Sequence, residues 1–189
     1  MRSGTRATGH RHSAWSTSAN SPLTRGRCVE NPYLTPDYLE ALSAFNAEGV
    51  EYLIIGAFAA SAHGLLRATG DIDLWIRPTR DNATRVYRAL ARFGAPLDGV
   101  SATDFTSDDL IFQVGRAPHR IDVITAISGV SFEAAWPRRL AATFGPHPVA
   151  VIGLDDLLAN KRASGRPKDL LDVAQLEKLR SGALPNKDR

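Results

Sequence analysis

Apolar residues recur with two different periods along this chain, and the changes of period divide it into helices and strands. A spacing of three to four residues is typical of a helix with one buried side, whereas an unbroken or alternating apolar run is typical of a strand. The helical period predicts two long helices (residues 36–48 and 80–93), two C-terminal helices (155–163 and 168–179) and two shorter helical segments (57–66 and 132–136). The other pattern predicts strands at residues 50–55, 71–76, 110–114, 120–124 and 149–152.

Capping and breaking residues support these boundaries. Thr35 and Thr79 are placed to cap the two long helices, and Gly94 is placed to end the second. Ser131 is placed to cap the short helix that Pro137 must bend or end, and residues 165–167 (Gly-Arg-Pro) separate the two C-terminal helices. Since 189 residues suffice for one sizeable hydrophobic core, we expect one ordered domain over residues 35–180, helical from about residue 154.

The two ends of the chain have a different composition. Residues 1–28 contain five arginines, no acidic residue and no apolar period, so we expect residues 1–34 to be a disordered basic tail. A functionless tail, an organelle transit peptide, a nucleic-acid-binding arm and a start site assigned too far upstream of Val29 all fit this composition. Residues 181–189 are expected to be a flexible tail. Without the five arginines, acidic residues slightly outnumber basic ones, so the domain itself has no excess of positive charge.

Two classes of protein are excluded by composition. Cys28 is the single cysteine, which rules out an internal disulfide and a thiolate zinc cluster. No apolar run approaches the ~20 residues of a membrane-spanning helix. We therefore expect a soluble cytoplasmic protein that has no membrane partner.

Three aspartates carry the most informative pattern. Asp71 and Asp73 lie two apart on a predicted strand, so both carboxylates leave the same face, with Cα atoms roughly 7 Å apart. Two such carboxylates repel each other unless a cation lies between them, and hard oxygen ligands suit Mg²⁺. Asp122, on a neighbouring strand, would complete a site for two metal ions about 3.5–4 Å apart. The competing interpretations are a solvent-facing strand edge for the pair, and one of the nearby acids in place of the third aspartate: Asp104, Asp108 or Asp109.

Several neighbouring residues are candidates for binding phosphate. Gly56 follows a strand and opens a helical segment, where free amides can hold an anion, and Ala57 follows it. Arg67 and Thr69 could bind phosphate or position the strand that follows them, with the alternative that either satisfies backbone groups in the turn. In the C-terminal helices the candidates are Lys161, Arg166 and Lys168, with the alternative that these cations pair with Asp169 and Asp172. His63 is expected to pack or cap beside Gly64.

Together these segments resemble the nucleotidyltransferase superfamily pattern of a strand, a Gly-Gly or Gly-Ser pair, a helix and an Asp-x-Asp strand. The nearer resemblance is to bacterial abortive-infection (AbiEii-like) nucleotidyltransferases, some of which are toxins of toxin-antitoxin pairs. It is carried by residues 56, 63–64, 67, 69, 71 and 73 and by residues 166–172, Arg-Pro-Lys-Asp-Leu-Leu-Asp. One position departs from the pattern, since Ala57 replaces the second glycine or serine and puts triphosphate affinity in doubt.

The resemblance implies an α/β fold of the polymerase-β type, with a short, mixed, mainly antiparallel sheet backed by helices and a C-terminal helical pair. It implies a transferase that uses Mg²⁺ or Mn²⁺ to move a nucleoside monophosphate from ATP or another nucleoside triphosphate to an acceptor. Asp71, Asp73 and Asp122 would be the catalytic metal ligands, and the resemblance also favours a functional role for Lys161 and for Asp169, which lies in the C-terminal motif. RNA (including transfer RNA), a protein and a small molecule stay open as acceptors, and an antitoxin is an expected partner. The alternative is a catalytically degenerate protein that binds a nucleotide or a partner.

Overall fold

The computed structural model describes residues 27–116 and 118–182, which form a mixture of strands and helices. In chain order, the elements are β1 (Arg27–Val29), α1 (Pro36–Ala47), β2 (Tyr52–Ile54), α2 (Gly56–Ala62), β3 (Asp71–Ile76), α3 (Arg80–Phe93), β4 (Ile111–Arg116), β5 (His119–Ile124), α4 (Phe132–Ala135), β6 (Leu140–Phe144), β7 (His147–Val151), α5 (Leu154–Ser164) and α6 (Pro167–Arg180), with 3₁₀ turns at Ala102–Thr106 and Trp136–Arg138.

The strands of the described residues form one mixed sheet of seven, in the order β1-β6-β7-β2-β3-β5-β4. Parallel and antiparallel pairings alternate across it, starting with the parallel pair of β1 and β6 and ending with the antiparallel pair of β5 and β4. The α/β fold class is confirmed, with a mixed sheet of short strands, helices around it and a C-terminal pair formed by α5 and α6.

The centre of the sheet separates apolar from acidic side chains. Because neighbouring residues of a strand point to opposite faces, Ile72 and Leu74 of β3 lie on one face, beside Ile121 and Val123 of β5. All four side chains are at most 3% exposed and belong to the hydrophobic core. The alternate positions of the same two strands, which hold the carboxylates, therefore face away from this side of the core.

The helices end close to the predicted capping and breaking residues, although not every expected capping bond forms. The Thr35 hydroxyl accepts a hydrogen bond from the Tyr38 amide at 3.3 Å, and Gly94 ends α3 in the left-handed region with φ +84°. Thr79 and Ser131 occupy the cap positions of α3 and α4, but neither side chain makes the capping hydrogen bond that we expected. Gly165, also left-handed, separates α5 from α6.

Two strands escaped the sequence analysis, and one of them corrects a domain boundary. β1 pairs with β6 in parallel, and the Arg27 guanidinium donates to the Ala62 carbonyl at 2.8 Å, so residues 27–34 are not part of a disordered tail. β1 has three residues and β6 contains two alanines, which is why neither produces a strong strand signal. The rest of the predicted tails, residues 1–26 and 183–189, lies outside the described residues. Among the helices that the structure describes, none has the length and apolar composition needed to cross a membrane.

Candidate functional site

The carboxylate cluster, Asp71, Asp73 and Asp122, is formed by two neighbouring strands of the sheet. β3 and β5 run parallel with Asp73 opposite Asp122, and Asp71 lies two residues earlier on the same face. Each of the three residues offers one carboxylate oxygen, and these oxygens lie within 4.8 Å of one another. Asp122 is therefore the acid that lies beside the pair. Two of its competitors are engaged elsewhere: Asp104 accepts from the Ser101 amide, and Asp109 accepts from the Ser107 hydroxyl.

Gly56 leaves the space that the Asp73 carboxylate occupies. Its φ is +65°, a backbone conformation that residues other than glycine rarely adopt. A Cβ atom placed on it would lie 2.0 Å from Asp73 Oδ2. The residue at this position must therefore be glycine for two reasons, its backbone angle and its contact with the carboxylate. The sequence analysis had assigned Gly56 to phosphate binding, and the contact with Asp73 is a second role that only the structure reveals.

Asp73 is the member of the cluster that lacks a partner. No donor among the described residues makes a hydrogen bond to its carboxylate. Burial, together with the negative charges of Asp71 and Asp122, raises the pKa of Asp73 to about 7. An unpaired, half-buried carboxylate is costly, and a bound cation would remove that cost. Because the cluster offers only carboxylate oxygens as ligand atoms, it fits a divalent cation such as Mg²⁺.

Asp71 and Asp122, in contrast, are held by neighbouring side chains. Arg120 donates from Nε to Asp122 Oδ1 at 2.7 Å, and from Nη2 to Asp122 Oδ2 at 3.0 Å and Asp71 Oδ2 at 3.1 Å. The Thr69 hydroxyl donates to Asp71 Oδ1 at 2.7 Å, and Gln113 Nε2 donates to Asp122 Oδ2 at 3.2 Å. Thr69 thus positions the first aspartate of the strand, and its hydroxyl also donates to the Asp71 carbonyl at 3.2 Å; both roles were among those expected of it.

A second group of charges, the helical ion network, consists of Arg67, Lys161, Asp169 and Asp172. Lys161, 4% exposed, donates to Asp169 at 3.0 Å and to Asp172 at 2.7 Å, while Arg67 forms an ion pair with Asp172 at 2.6 Å. Burial alone would raise the pKa of Asp169, but hydrogen bonds from Lys161, Arg166 and Ser164 outweigh it and lower that pKa to about 2. The network joins α5 and α6 to the segment that leads into β3.

The predicted phosphate-binding cations therefore fall into two groups. The charges of Arg67 and Lys161 are already neutralised within the helical ion network. Ion pairing was the alternative interpretation of Lys161, whereas the partner of Arg67 was not predicted. Arg166 also binds Asp169, at 2.5 Å, yet its side chain is 63% exposed, and Lys168 is exposed as well. Arg166 and Lys168 are thus the C-terminal cations that remain accessible to a ligand.

A cavity of about 430 Å³ brings these groups together. The carboxylate cluster lies on one side of it, Gly56 and Ala57 open α2 beside the cluster, and Arg166 and Lys168 line it from the C-terminal helices. Apolar side chains complete the wall, contributed by Ile55, Ile111, Ile124 and Ile127. The cavity thus offers acidic, basic and apolar surfaces to one ligand.

His63 has a structural role. Its Nε2 lies 2.8 Å from the Ile152 carbonyl, and burial lowers its pKa, so the ring ties the end of α2 to the segment after β7. The sequence analysis missed Arg120 and Gln113. Both lie on strands at positions that share the face of the carboxylates, Arg120 two residues before Asp122 and Gln113 directly opposite it. Strand alternation alone could have identified the arginine, whereas the partner of Gln113 depends on strand register.

Comparisons with known proteins add little to the geometry. No protein-family model matches the chain, and no curated protein matches it. Among solved structures, the chain is similar to a candidate nucleotidyltransferase from Thermotoga maritima, with 14% sequence identity and a TM-score of 0.48. This similarity covers 79% of the chain and 94% of the Thermotoga protein. A likeness at this level concerns the backbone alone, and function has to be argued from the site itself.

Proposed function

We propose that this protein is a metal-dependent nucleotidyltransferase, which transfers a nucleoside monophosphate from a nucleoside triphosphate to an acceptor hydroxyl or phosphate. The observation that carries the proposal is the carboxylate cluster, whose oxygens lie within 4.8 Å of one another at the wall of a cavity of about 430 Å³. Its central member, the half-buried Asp73, has no hydrogen-bond donor among the described residues. A cluster of this kind stabilises a fold poorly by itself and is suited to holding cations.

The reaction exchanges one phosphorus–oxygen bond for another. The acceptor oxygen forms a bond to the α-phosphorus, the bond from that phosphorus to its bridging oxygen breaks, and pyrophosphate leaves. Mg²⁺ or Mn²⁺, when bound, would stabilise the charge on the transferring group and lower the pKa of the acceptor. Asp71 and Asp73 would hold two such cations, and Asp122 would hold the catalytic one and favour ionisation of the acceptor. Thr69 and Gln113 would keep the outer two carboxylates oriented.

The rest of the cavity would bind the donor nucleotide. Arg166 and Lys168 are accessible cations that would contact its phosphates, and the first amides of α2, at Gly56 and Ala57, have no acceptor within the helix. Lys161 and Asp169 would act indirectly, because they hold α5 and α6 together and thereby fix the position of Arg166. The apolar wall would contact the base or sugar.

Calorimetric titration with each nucleoside triphosphate, with and without Mg²⁺, tests the first step of this proposal. We expect binding that requires Mg²⁺ and is lost in Asp73→Asn. The matched control is Asp98→Asn, because Asp98 is exposed and does not belong to the carboxylate cluster. If no triphosphate binds in the presence of Mg²⁺, or if the Asp73 variant binds as the control does, the proposed function is wrong.

A transfer assay tests the second step. A triphosphate labelled at the α-phosphorus should leave its label on the acceptor and release pyrophosphate, whereas label at the γ-phosphorus should appear only in pyrophosphate. RNA, including transfer RNA, total protein and small hydroxyl compounds are the acceptors to offer. Label found on the acceptor from the γ-position instead would make the protein a kinase and contradict the proposal.

The finer biological role rests on the resemblance described above. Within the proposal, RNA is the first acceptor to test, and the protein would be the toxin of a toxin-antitoxin pair. Expression of the wild-type chain should then arrest bacterial growth, and Asp71→Asn should not. Equal growth of cells that express either protein at the same level would remove the toxin role while leaving the transferase proposal intact.

A degenerate protein that binds a nucleotide without turnover is the second candidate. Two observations favour it: alanine occupies position 57, and Arg120 holds two of the three carboxylates. Under this alternative, calorimetry shows triphosphate binding whereas no acceptor receives label. Ala57→Ser would then be the variant to test for restored transfer.

A further inference from the structure

Arg120 lies among the carboxylates at the place where cations are expected. Its guanidinium binds both oxygens of Asp122 and Oδ2 of Asp71, at distances between 2.7 and 3.1 Å. A metal ion held by the carboxylate cluster would need an oxygen of Asp122 as a ligand, and Arg120 occupies both. Since a guanidinium is always charged, it and a divalent cation on the same oxygens would repel each other.

We propose that Arg120 is a built-in counterion which the divalent cation displaces, and which then binds the phosphates of the donor nucleotide. This inference rests on the proposed function, because it assumes that the carboxylate cluster holds metal ions. It gives the arginine two successive partners: carboxylates before the metal binds, and phosphate afterwards. Arg120 thereby couples metal binding to nucleotide binding.

The carboxylate cluster offers an entering cation one unoccupied ligand. Asp73 receives no hydrogen bond from the described residues, whereas Asp71 and Asp122 are both held by Arg120. A cation can therefore contact Asp73 first and compete with the guanidinium from there. Thr69 and Gln113 still donate to Asp71 and Asp122 when Arg120 leaves, so both carboxylates keep their orientation.

The arginine side chain has room to move. It is 32% exposed and lines the cavity, so its displacement does not require the hydrophobic core to open. Two other cations of the cavity wall, Arg67 and Lys161, are neutralised by Asp169 and Asp172. A released Arg120 would thus add a positive charge with a forked set of donors that matches phosphate oxygens.

Metal titration without nucleotide tests the displacement. Mn²⁺ binding to the full chain would be measured by electron paramagnetic resonance for the wild type, Arg120→Gln and Arg120→Lys. Because the glutamine variant no longer has a charge to displace, we expect it to bind Mn²⁺ about tenfold more tightly or better. The lysine variant, which keeps the charge but not the fork, should fall between the two. Arg116→Gln, an exposed arginine on the same hairpin, is the control and should match the wild type.

Triphosphate titration at saturating Mn²⁺ tests the second partner. Here the order should reverse, with Arg120→Gln binding the triphosphate about fivefold or more weakly than the wild type because one charge-assisted contact is lost. An arginine that served only to stabilise the fold would weaken both ligands when replaced. Opposite shifts in the two titrations therefore distinguish exchange from simple structural support.

The outcomes separate this inference from the proposed function. Equal or weaker Mn²⁺ binding by Arg120→Gln and Arg120→Lys, with the wild type binding normally, would overturn the exchange and leave the transferase proposal intact. Binding of Mn²⁺ by neither the wild type nor the variants would remove the proposed function itself. Circular-dichroism melts identify a variant that fails to fold, in which case Arg120→Lys decides.

Discussion

The carboxylate cluster and the helical ion network both combine aspartates with basic residues, but they differ in how completely the aspartates are paired. In the network, Asp169 and Asp172 share Lys161. Each acid also has a second cation, which is Arg166 for Asp169 and Arg67 for Asp172. In the cluster, Asp71 and Asp122 share Arg120, and Asp73 has no partner among the described residues. The pKa values record this difference, since that of Asp169 is lowered to about 2 and that of Asp73 is raised to about 7.

Charge balance is what separates a structural site from one that awaits a ligand. The helical ion network is complete within the protein and holds two helices together, so adding a cation would bring no gain. The carboxylate cluster has more negative charge than its one arginine can neutralise, and the missing charge has to come from outside. The comparison predicts that removing a charge damages the network but relieves the cluster.

The largest effect is expected where the network loses its buried cation. Lys161→Met removes the charge that lies between Asp169 and Asp172 and leaves two buried carboxylates with fewer partners. We expect the free energy of unfolding to fall by about 3–5 kcal/mol, measured by urea denaturation. The control is Lys168→Met on the exposed side of α6, which should change stability by no more than about 0.5 kcal/mol. Similar losses in the two variants would show that the network contributes little.

A second prediction concerns the glycine on which the carboxylate cluster rests. Gly56→Ala places a Cβ atom 2.0 Å from Asp73 Oδ2 and forces a left-handed angle on alanine, so we expect a loss of about 2–4 kcal/mol in urea denaturation.

Gly49→Ala is a matched control for that substitution. Gly49 has the same φ of +65°, but nothing lies within 4 Å of its added Cβ atom. It should therefore show the backbone cost alone, about 1–2 kcal/mol. Equal losses in the two alanine variants would mean that the Asp73 carboxylate moves away without cost, and that Gly56 has no particular role in the site.

The third substitution is expected to raise the stability of the protein instead of lowering it. Asp73→Asn removes the unpaired charge from the carboxylate cluster, and in a metal-free buffer at pH 8 it should stabilise the protein by about 1–3 kcal/mol in urea denaturation. The same variant should lose Mg²⁺-dependent triphosphate binding. Asp98→Asn serves again as the control and should change neither quantity. A loss of stability in Asp73→Asn would show that the charges of the carboxylate cluster are balanced without a metal ion.

Local sequence signals predicted most of the elements and the acidic half of the site. β3 was predicted with its observed bounds, because alternation of acidic and apolar residues is a local property of residues 71–76. The strands β1 and β6 were missed because they are short or alanine-containing and gain their stability from pairing with each other. Strand pairing is a long-range property that local pattern does not encode.

The basic half of the site was harder to predict, since the partners of a cation depend on tertiary contacts. Lys161 lies eight residues before Asp169, and the sequence does not decide whether it faces that acid or the cavity. Arg67 is even further from its partner Asp172 in the chain, and the guanidinium turns toward the C-terminal helix only once the fold has formed. The clash that makes Gly56 necessary likewise exists only after β3 passes beside it.

The smallest expected effect tests how the carboxylate cluster is oriented rather than how it is charged. Thr69→Val keeps the shape of the side chain but removes the hydroxyl that donates to Asp71 Oδ1, at a cost of about 0.5–1.5 kcal/mol in stability. Because a freed Asp71 carboxylate would be less well oriented, Mn²⁺ affinity should fall about tenfold. Thr84→Val is the control and should leave Mn²⁺ affinity unchanged, because Thr84 lies on the exposed side of α3 and its hydroxyl donates to the Arg80 carbonyl. If Thr69→Val bound Mn²⁺ as the control does, Arg120 alone would suffice to orient Asp71, and the hydroxyl would serve the turn before β3 instead.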